Sequence, residues 1–452
     1  MIESSTRFVG GSVPSTAARL HDRSVRLLVG TAVDYAGVIR AKSVPVERLS
    51  DFVTAGMGAS PSWLAFGVDM SIAFTARFGV IGDLRLRIDP AVTTVLEPGV
   101  AWAPADFCEQ DGTPFVGCPR ARLRAVVDAL GAAGLTARTG AELEFVLTRP
   151  DGAARIGPTW QGYGARPLLD IVPLLTDLTD SFDGAGMPLE QLHAEYGADQ
   201  FEISLPPADP LTTADRTVLA RLLIGRAAAR QGCGVSFSPV PFAGGAGNGA
   251  HLHLSLADGE GPLLSGGPGP HGLRPAGEAA IAGLIDGLPD VQAVLAGSAM
   301  SSARLRPGNW AGAFACWGLE NREAAIRLVA ATPGNPHGAS VEVKVVDASA
   351  NPYLAAAALL GSALDGIQRQ LALPDEVPVD PVELTADRRS ALALAADQAA
   401  ALAALDRSVL ARRLLGDVVV DGTLAVRRHE LQAYSGADPE AVAAAFRQAF
   451  SG

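Results

Sequence analysis

The sequence predicts an α+β protein in which a small, strand-rich module precedes a larger domain of strands and helices. Short β-like runs separated by Gly, Asp and Pro fill the first quarter, as in RFGVIGDLRLRI and TTVLEPGVAWA. Apolar strand-like runs then alternate with amphipathic helices, and Ala-rich runs such as ALALAADQAAALAAL predict packed helices near the end. Both periods in one chain of 452 residues favour layers of sheet and helix.

The predicted organisation has three parts, which are residues 1–20, 21–117 and 118–452. The first part shows little periodicity and is expected to be mobile. From Val25, the run VRLLVGTAVDYAGVIRAKSVP predicts a strand, a turn and a second strand, which open the small module. PRARLRAVVDALGAAG then predicts an amphipathic helix with a glycine stop, which begins the larger domain.

Composition excludes several classes of function. A formal charge of -12 argues against nucleic acid or an anionic membrane as a partner. No signal peptide is evident, and no apolar run reaches the roughly 18 residues of a membrane span. The widely spaced cysteines form no CxxC pair, which favours reduced, mostly buried thiols: Cys108, Cys118, Cys233 and Cys316. A cytoplasmic protein is therefore expected.

Two pairs of glutamates are candidates for a cation site. Glu142 and Glu144 in AELEF are two apart on a predicted strand, so both side chains face the same way. Taken alone, this pair is better explained by a solvated strand face. Glu195 and Glu202 bracket a turn that contains Gly197 in HAEYGADQFEIS, so two further carboxylates come together at strand ends.

Histidines and arginines extend this pattern. His251 and His253 share one face of HLHLSL after the glycine-rich loop 244–250, although a lone strand histidine is usually a core residue. Together with Glu342, these residue types suit two Mg²⁺ or Mn²⁺ ions that coordinate the phosphates of ATP. Arginines in NREAAIR would clamp the transferred phosphoryl group, or would form surface ion pairs. No P-loop is present, so ATP requires another architecture.

The order of ExE, E-x6-E, HxH, RLxPG, NRxxxxR and NPYL resembles the glutamine synthetase superfamily, and WAGAFACWGLENREAA is similar to its actinobacterial γ-glutamylpolyamine synthetase branch. The resemblance implies a β-grasp domain at 21–117 and a catalytic domain with an antiparallel sheet and helices at 118–452. It also implies a homo-oligomeric ring, usually a dodecamer, with active sites between neighbouring subunits.

The resemblance implies roles for individual residues. One metal ion would be held by Glu144, Glu195 and Glu202, and the other by Glu142, His251 and Glu342. The catalytic cations would be Arg322, Arg327 and Lys344, the last in place of the usual arginine. Glutamate and the acceptor would be bound by Arg304, Gly247, Trp310 and Glu144. ATP would be bound by His253, Ser255 and Arg327.

Departures from the family pattern concern the ammonium site. Trp310 stands where the family carries a glutamate, six residues after the RLxPG arginine. MGASPSW replaces the stretch with the DGSS aspartate, AGNG replaces NGSG, and Pro-Val-Pro replaces a lysine-containing PKP. Loss of both acids leaves an apolar, roomier mouth, in which an alkylamine can lie against the indole.

The sequence-based hypothesis is an ATP-dependent ligase that joins the γ-carboxylate of glutamate to a primary amine, a polyamine above all, through γ-glutamyl phosphate. The alternatives are ordinary glutamine synthesis from ammonium, a ligase for ethanolamine or another monoamine, and a non-catalytic ring protein. The group that removes the proton from the amine is left unassigned, because the usual acids are missing.

Overall fold

The computed structural model describes residues 12–155 and 160–451 and confirms the predicted α+β class. The strands are β1 (Leu27–Val33), β2 (Ile39–Pro45), β3 (Met57–Ala59), β4 (Leu84–Ile88), β5 (Thr94–Glu97), β6 (Val100–Cys108), β7 (Thr136–Thr148), β8 (Gln191–Ala194), β9 (Gln200–Ala208), β10 (Gly234–Ser236), β11 (Leu252–Asp258), β12 (Gly261–Pro262), β13 (Phe314–Leu319), β14 (Ala324–Val329) and β15 (Ser340–Val343). The helices are α1 (Val13–Asp22), α2 (Leu49–Thr54), α3 (Pro119–Ala132), α4 (Ala165–Leu169), α5 (Val172–Gly184), α6 (Pro210–Arg230), α7 (Pro275–Leu295), α8 (Ser301–Arg304), α9 (Pro352–Arg369), α10 (Ala386–Leu392), α11 (Gln398–Arg407), α12 (Val409–Leu415), α13 (Asp417–Ala433) and α14 (Pro439–Ala449). Among these described helices, none is both long and apolar enough to cross a membrane.

The first sheet lies in the N-terminal part, with the order β2-β1-β6-β4-β3 and with β5 paired to β6. The predicted hairpin of β1 and β2 is present, and its turn contains Gly37 at φ +83°. A side chain on Gly37 would meet the carbonyl oxygen of Ser349 at 2.3 Å. Glycine therefore lets this turn press against the larger domain.

The segment expected to be mobile, residues 1–20, contains most of a helix in its second half. Helix α1 begins at Val13 and packs on the N-terminal sheet domain, with Thr16 and Leu20 buried. The Thr16 hydroxyl donates to the carbonyl of Pro90 at 3.2 Å. A buried face of one threonine and one leucine gives little apolar periodicity, so the sequence pattern did not indicate this helix. Residues 1–11 lie outside the described part of the chain.

The second sheet carries the candidate site, with the order β13-β14-β15-β11-β7-β9-β8. Its pairings are antiparallel as predicted, except that β13 runs parallel to β14. Helices α7 and α9 pack closely together, since a Cβ on Gly283 would lie 2.6 Å from the Cα of Gly366. Apolar residues of β7, β9 and β11 such as Leu143, Ile203 and Leu254 belong to the same buried core as these helices.

A buried ionic cluster joins the two domains. Arg120, in the first turn of α3, donates to Asp89 and Asp106 of the first domain at 3.0 and 3.1 Å. It also grips both oxygens of Asp215 in α6 at 2.8 and 2.9 Å, and Tyr353 donates to the same carboxylate at 2.7 Å. We call these five residues the Arg120 cluster. Each of its carboxylates has a cationic partner.

Candidate active site

Strand register places like charges side by side at one end of the second sheet. Glu144 on β7 lies directly opposite Glu202 on β9, and Glu202 lies opposite His193 on β8. Two carboxylates in directly opposed positions repel, and such a pair destabilises a sheet. The register therefore places carboxylates of adjacent strands side by side, and a bound cation would offset their repulsion.

A second row crosses the strands on the other side of β7. Glu342 on β15 lies opposite His253 on β11 and opposite Arg327 on β14. Arg327 donates to one oxygen of Glu342 at 2.9 Å, and Lys344 donates to the other at 3.0 Å. Burial opposes ionisation of Glu342, but the charge of Lys344, followed by those of His251 and His253, lowers its pKa to about 2. The glutamate is thus ionised, as a metal ligand must be.

Two groups of donors have the spacing of cation sites. In the Glu342 cluster (Glu142, His253 and Glu342) and in the Glu202 cluster (His193, Glu195 and Glu202), donor atoms lie within 4.8 Å of one another. Burial, followed by the charges of Glu142 and Glu144, raises the pKa of Glu202 to about 10. A divalent cation would offset both effects, because it supplies positive charge where the protein gathers negative charge.

His251 and Glu144 lie between the two clusters. The Nδ1 atom of His251 is 3.2 Å from Glu142 and 3.3 Å from Glu342, and its Nε2 atom is 3.8 Å from Glu144. Burial opposes ionisation of Glu142, yet hydrogen bonds from His251 and His253 hold the pKa of Glu142 well below its usual value. All six residues predicted as metal ligands therefore meet in one region.

The glycine-rich loop 244–250 approaches this region as closely as the sequence indicated. A Cβ on Gly249 would lie 2.4 Å from Nε2 of His251, and one on Gly247 would lie 2.7 Å from Cγ of Arg304. Arg304 is buried, donates to the carbonyls of residues 344 and 345, and has Nη2 3.2 Å from Nε2 of His251. Only glycine fits at these two positions of the loop.

The other predicted residues lie at different distances from the carboxylates. His253, predicted to bind ATP, belongs to the Glu342 cluster, with its Nε2 3.2 Å from Glu142. The Ser255 hydroxyl donates to the carbonyl of Ala339 further along β11. Arg322 is exposed in the turn before β14.

Loop 305–313 carries Trp310 and connects two residues of the site. It begins after Arg304, and near its end Gly312 packs so tightly that a Cβ would lie 3.1 Å from Cβ of Lys344. Trp310 is 54% exposed, and its backbone N–H donates to Glu323 at 2.9 Å. The loop therefore presents a large aromatic surface to solvent.

Sequence reasoning missed two residues of the site. His193 has Nε2 3.1 Å from Glu195 and 3.9 Å from Glu202. Gln200 donates to Glu144 at 3.0 Å and to Asn248 at 2.9 Å, which orients the glutamate. Both lie inside HAEYGADQFEIS, each two residues before a predicted ligand, so the alternation of a strand could have indicated them.

Comparisons with known proteins agree with this geometry over nearly the whole chain. The family described as "Glutamine synthetase N-terminal domain" matches residues 14–115, and "Glutamine synthetase, catalytic domain" matches residues 116–442. A crystal structure titled "novel glutamine synthase homolog" superposes with a TM-score of 0.84 at 30% identity, covering 94% of this chain and 99% of that one.

Two relatives from Streptomyces coelicolor have names that state an activity. The chain is 39% identical to Gamma-glutamylpolyamine synthetase GlnA3 over 444 residues, which is 95% of each protein. It is 31% identical to Gamma-glutamylethanolamide synthetase GlnA4 over 372 residues, which is 79% of this chain and 77% of that protein. With both domains matched, the chain belongs to the glutamine synthetase family and is a ligase of that type.

Proposed function

We propose that this protein joins the γ-carboxylate of glutamate to a primary amine at the expense of ATP, with a polyamine as the acceptor. The observation that carries the proposal is a pair of carboxylate clusters whose adjoining loop presents Trp310 instead of an acid. The 39% identity to a γ-glutamylpolyamine synthetase supports the choice of acceptor.

Divalent cations fit the donor set, since carboxylates with an imidazole suit Mg²⁺ or Mn²⁺. The proposed ligands are those of the Glu202 and Glu342 clusters together with Glu144 and His251. When bound, the cations would neutralise phosphate charge and lower the barrier to phosphoryl transfer.

The remaining steps are assigned to the chain's own residues. Arg304 would bind the α-carboxylate of glutamate with the N–H groups that its carbonyl partners leave free. The γ-carboxylate oxygen attacks the γ-phosphorus of ATP, ADP leaves, and Arg327 and Lys344 supply positive charge beside that centre. A neutral amine then attacks the carbonyl carbon, phosphate leaves with its electron pair, and the proton that the nitrogen loses as the amide forms is taken up by the departing phosphate.

Trp310 has a proposed role in choosing the amine. An indole face attracts an ammonium group and also packs against methylenes, and a polyamine alternates these two features. Ammonium lacks the methylenes, so it gains least from this surface. We also propose a homo-oligomeric ring, a dodecamer by family resemblance, in a cytoplasmic setting.

A monoamine ligase is the second candidate, favoured by the 31% identity to a γ-glutamylethanolamide synthetase. Ordinary glutamine synthesis is disfavoured by Trp310 in the place of an acid. A non-catalytic ring is disfavoured by the clusters themselves, since gathering ionised groups without a function costs stability.

The test is the rate of ADP release with Mg²⁺, ATP and glutamate, compared among ammonium, putrescine, spermidine, spermine and ethanolamine. We expect the fastest turnover with a polyamine, and a γ-glutamyl adduct of the matching mass. Turnover with ammonium alone would exclude an amine pocket at Trp310. ADP release only with ethanolamine would establish the second candidate instead.

A further inference from the structure

Both ends of the loop that carries Trp310 lie on the candidate site. At one end Arg304 contacts His251, and at the other Gly312 packs on Lys344, which donates to Glu342. The position of this loop is therefore tied to the position of the reacting groups. The contacts that hold the middle of the loop therefore determine where the indole of Trp310 lies.

The middle of the loop is held in a conformation that tryptophan avoids. Trp310 has φ +53°, in the left-handed region that favours glycine. A bulky residue keeps such a conformation only when the surrounding structure imposes it. The contact that does so is the 2.9 Å hydrogen bond from the Trp310 backbone N–H to Oε1 of Glu323.

Glu323 is a buried carboxylate beside this loop, which is an uncommon environment for a glutamate. It is only 6% exposed, and its Oε2 atom is buried without a hydrogen-bond partner in the described structure. Burial raises the pKa of its carboxyl, and the backbone N–H groups of Trp310 and Gly308 oppose that rise. Burying this carboxyl is costly, and its one strong contact fixes the loop.

We propose that Glu323 is a positioning residue that acts through Trp310 and sets the selectivity for amines with a carbon chain. By accepting the Trp310 N–H, it holds the indole at the mouth, where methylenes and a remote ammonium can lie against the ring. The inference rests on the proposed amine ligase activity. Its chemistry is that of a backbone acceptor, and the substrate never needs to touch it.

The experiment compares two acceptors, putrescine and methylamine, in kcat/KM. Glu323→Ala removes the acceptor, so we expect the putrescine-to-methylamine ratio to fall about fivefold, the size of a lost cation–π contact. Glu323→Gln keeps an oxygen that accepts the N–H, so its ratio stays near that of the parent. The control Glu383→Ala removes an exposed acid elsewhere in the chain and leaves the ratio unchanged.

A double-mutant cycle shows whether Glu323 acts through Trp310. We expect Trp310→Ala to lower the ratio as Glu323→Ala does, and the double variant to show no further loss. Additive losses, or a Gln variant as impaired as the Ala variant, would overturn the proposal in favour of a direct role of the charge. A loss of glutamate and ATP affinity equal to that of amine affinity would show a general structural role and also overturn it.

A readout without substrate separates this inference from the proposed function. Amide hydrogen exchange over residues 305–313 should quicken in Glu323→Ala and stay slow in Glu323→Gln, whichever amine the protein uses. Unchanged exchange in the Ala variant would overturn the positioning role. A parent with no amine turnover but with this exchange pattern would refute the ligase proposal and leave the loop contact established.

Discussion

Two acidic regions of the molecule, the Arg120 cluster and the pair of site clusters, both gather buried carboxylates, but they differ in how those carboxylates are neutralised. Asp215 is fully buried, and although burial raises its pKa, Arg120 and Tyr353 offset part of the rise. Glu202 is almost as buried, yet its carboxylate neighbours, Glu142 first, add to the effect of burial. Burial alone therefore does not distinguish a structural acid from a functional one. What distinguishes these two acids is that Asp215 faces a guanidinium, whereas Glu202 faces other carboxylates.

The contrast also follows from where the strands put their charges. The Arg120 cluster draws its acids from separate elements around one guanidinium, whose fixed donors match several carboxylates at once. The site clusters draw theirs from adjacent strands, where register forces Glu144 opposite Glu202. One arrangement is complete within the chain, and the other is, on our proposal, completed by a bound cation.

The largest expected effect is on the stability of the protein, through the Arg120 cluster. Arg120→Ala leaves Asp89, Asp106 and Asp215 without their shared cation, so we expect a loss of about 3–5 kcal/mol of stability. The measurement is the midpoint of thermal unfolding. Arg166→Ala is the control, since its side chain is 90% exposed and its ion pair is long at 3.7 Å. Equal midpoints for the two variants would contradict a stabilising role of the cluster.

Glu202→Gln should lower activity and, without a bound cation, raise stability. It removes a proposed cation ligand, so we expect ligase activity to fall about 100-fold, as when several kcal/mol of charge stabilisation is lost. With chelator present, the same variant should be more stable than the parent. In the unfolded chain the Glu202 carboxyl ionises above its ordinary pKa of 4.5, whereas in the folded protein burial and nearby carboxylates raise that pKa to about 10, so parent stability falls as pH rises through that window. A chelated variant that is less stable than the parent at high pH would contradict this.

Divalent cations should stabilise the parent by binding the folded state only. At ten times the dissociation constant, an occupied site contributes about 1.4 kcal/mol, seen as a higher unfolding midpoint with Mg²⁺ or Mn²⁺. The shift should shrink in Glu202→Gln, which loses a donor of one cluster. The same shift in parent and variant would place the cations elsewhere.

The sequence allowed the fold class, the β1–β2 hairpin and the gathering of the six candidate ligand residues to be predicted, because each depends on local pattern. Alternation on β7 put Glu142 and Glu144 on one face, and the glycines of loop 244–250 predicted a close approach. Register across strands is a tertiary property, so the opposition of Glu144 and Glu202 could not be foreseen.

Other features depend on contacts between distant parts of the chain. Helix α1 was missed because its buried face is too small to give a period. Glu323 stands next to Arg322 in NREAAIR, yet the contact that gives it a role reaches back 13 residues to Trp310. Local pattern carries no signal for such a contact.

His193 gives the smallest and most specific test of the Glu202 cluster, since it is an imidazole among carboxylates. Its Nε2 lies 3.1 Å from Glu195, and its ring is half-buried and stacked on Tyr163 at 6.5 Å between centroids. An imidazole favours Mn²⁺ over Mg²⁺ because nitrogen is a softer ligand than oxygen. We therefore expect His193→Gln to weaken Mn²⁺ activation by about 1 kcal/mol, roughly fivefold, and Mg²⁺ activation by less. The control is His271→Gln, whose ring pairs with Glu376 on another part of the surface. Equal weakening of activation by both ions would show that His193 only orients Glu195. The proposed cation ligands of the Glu202 cluster would then be carboxylates alone.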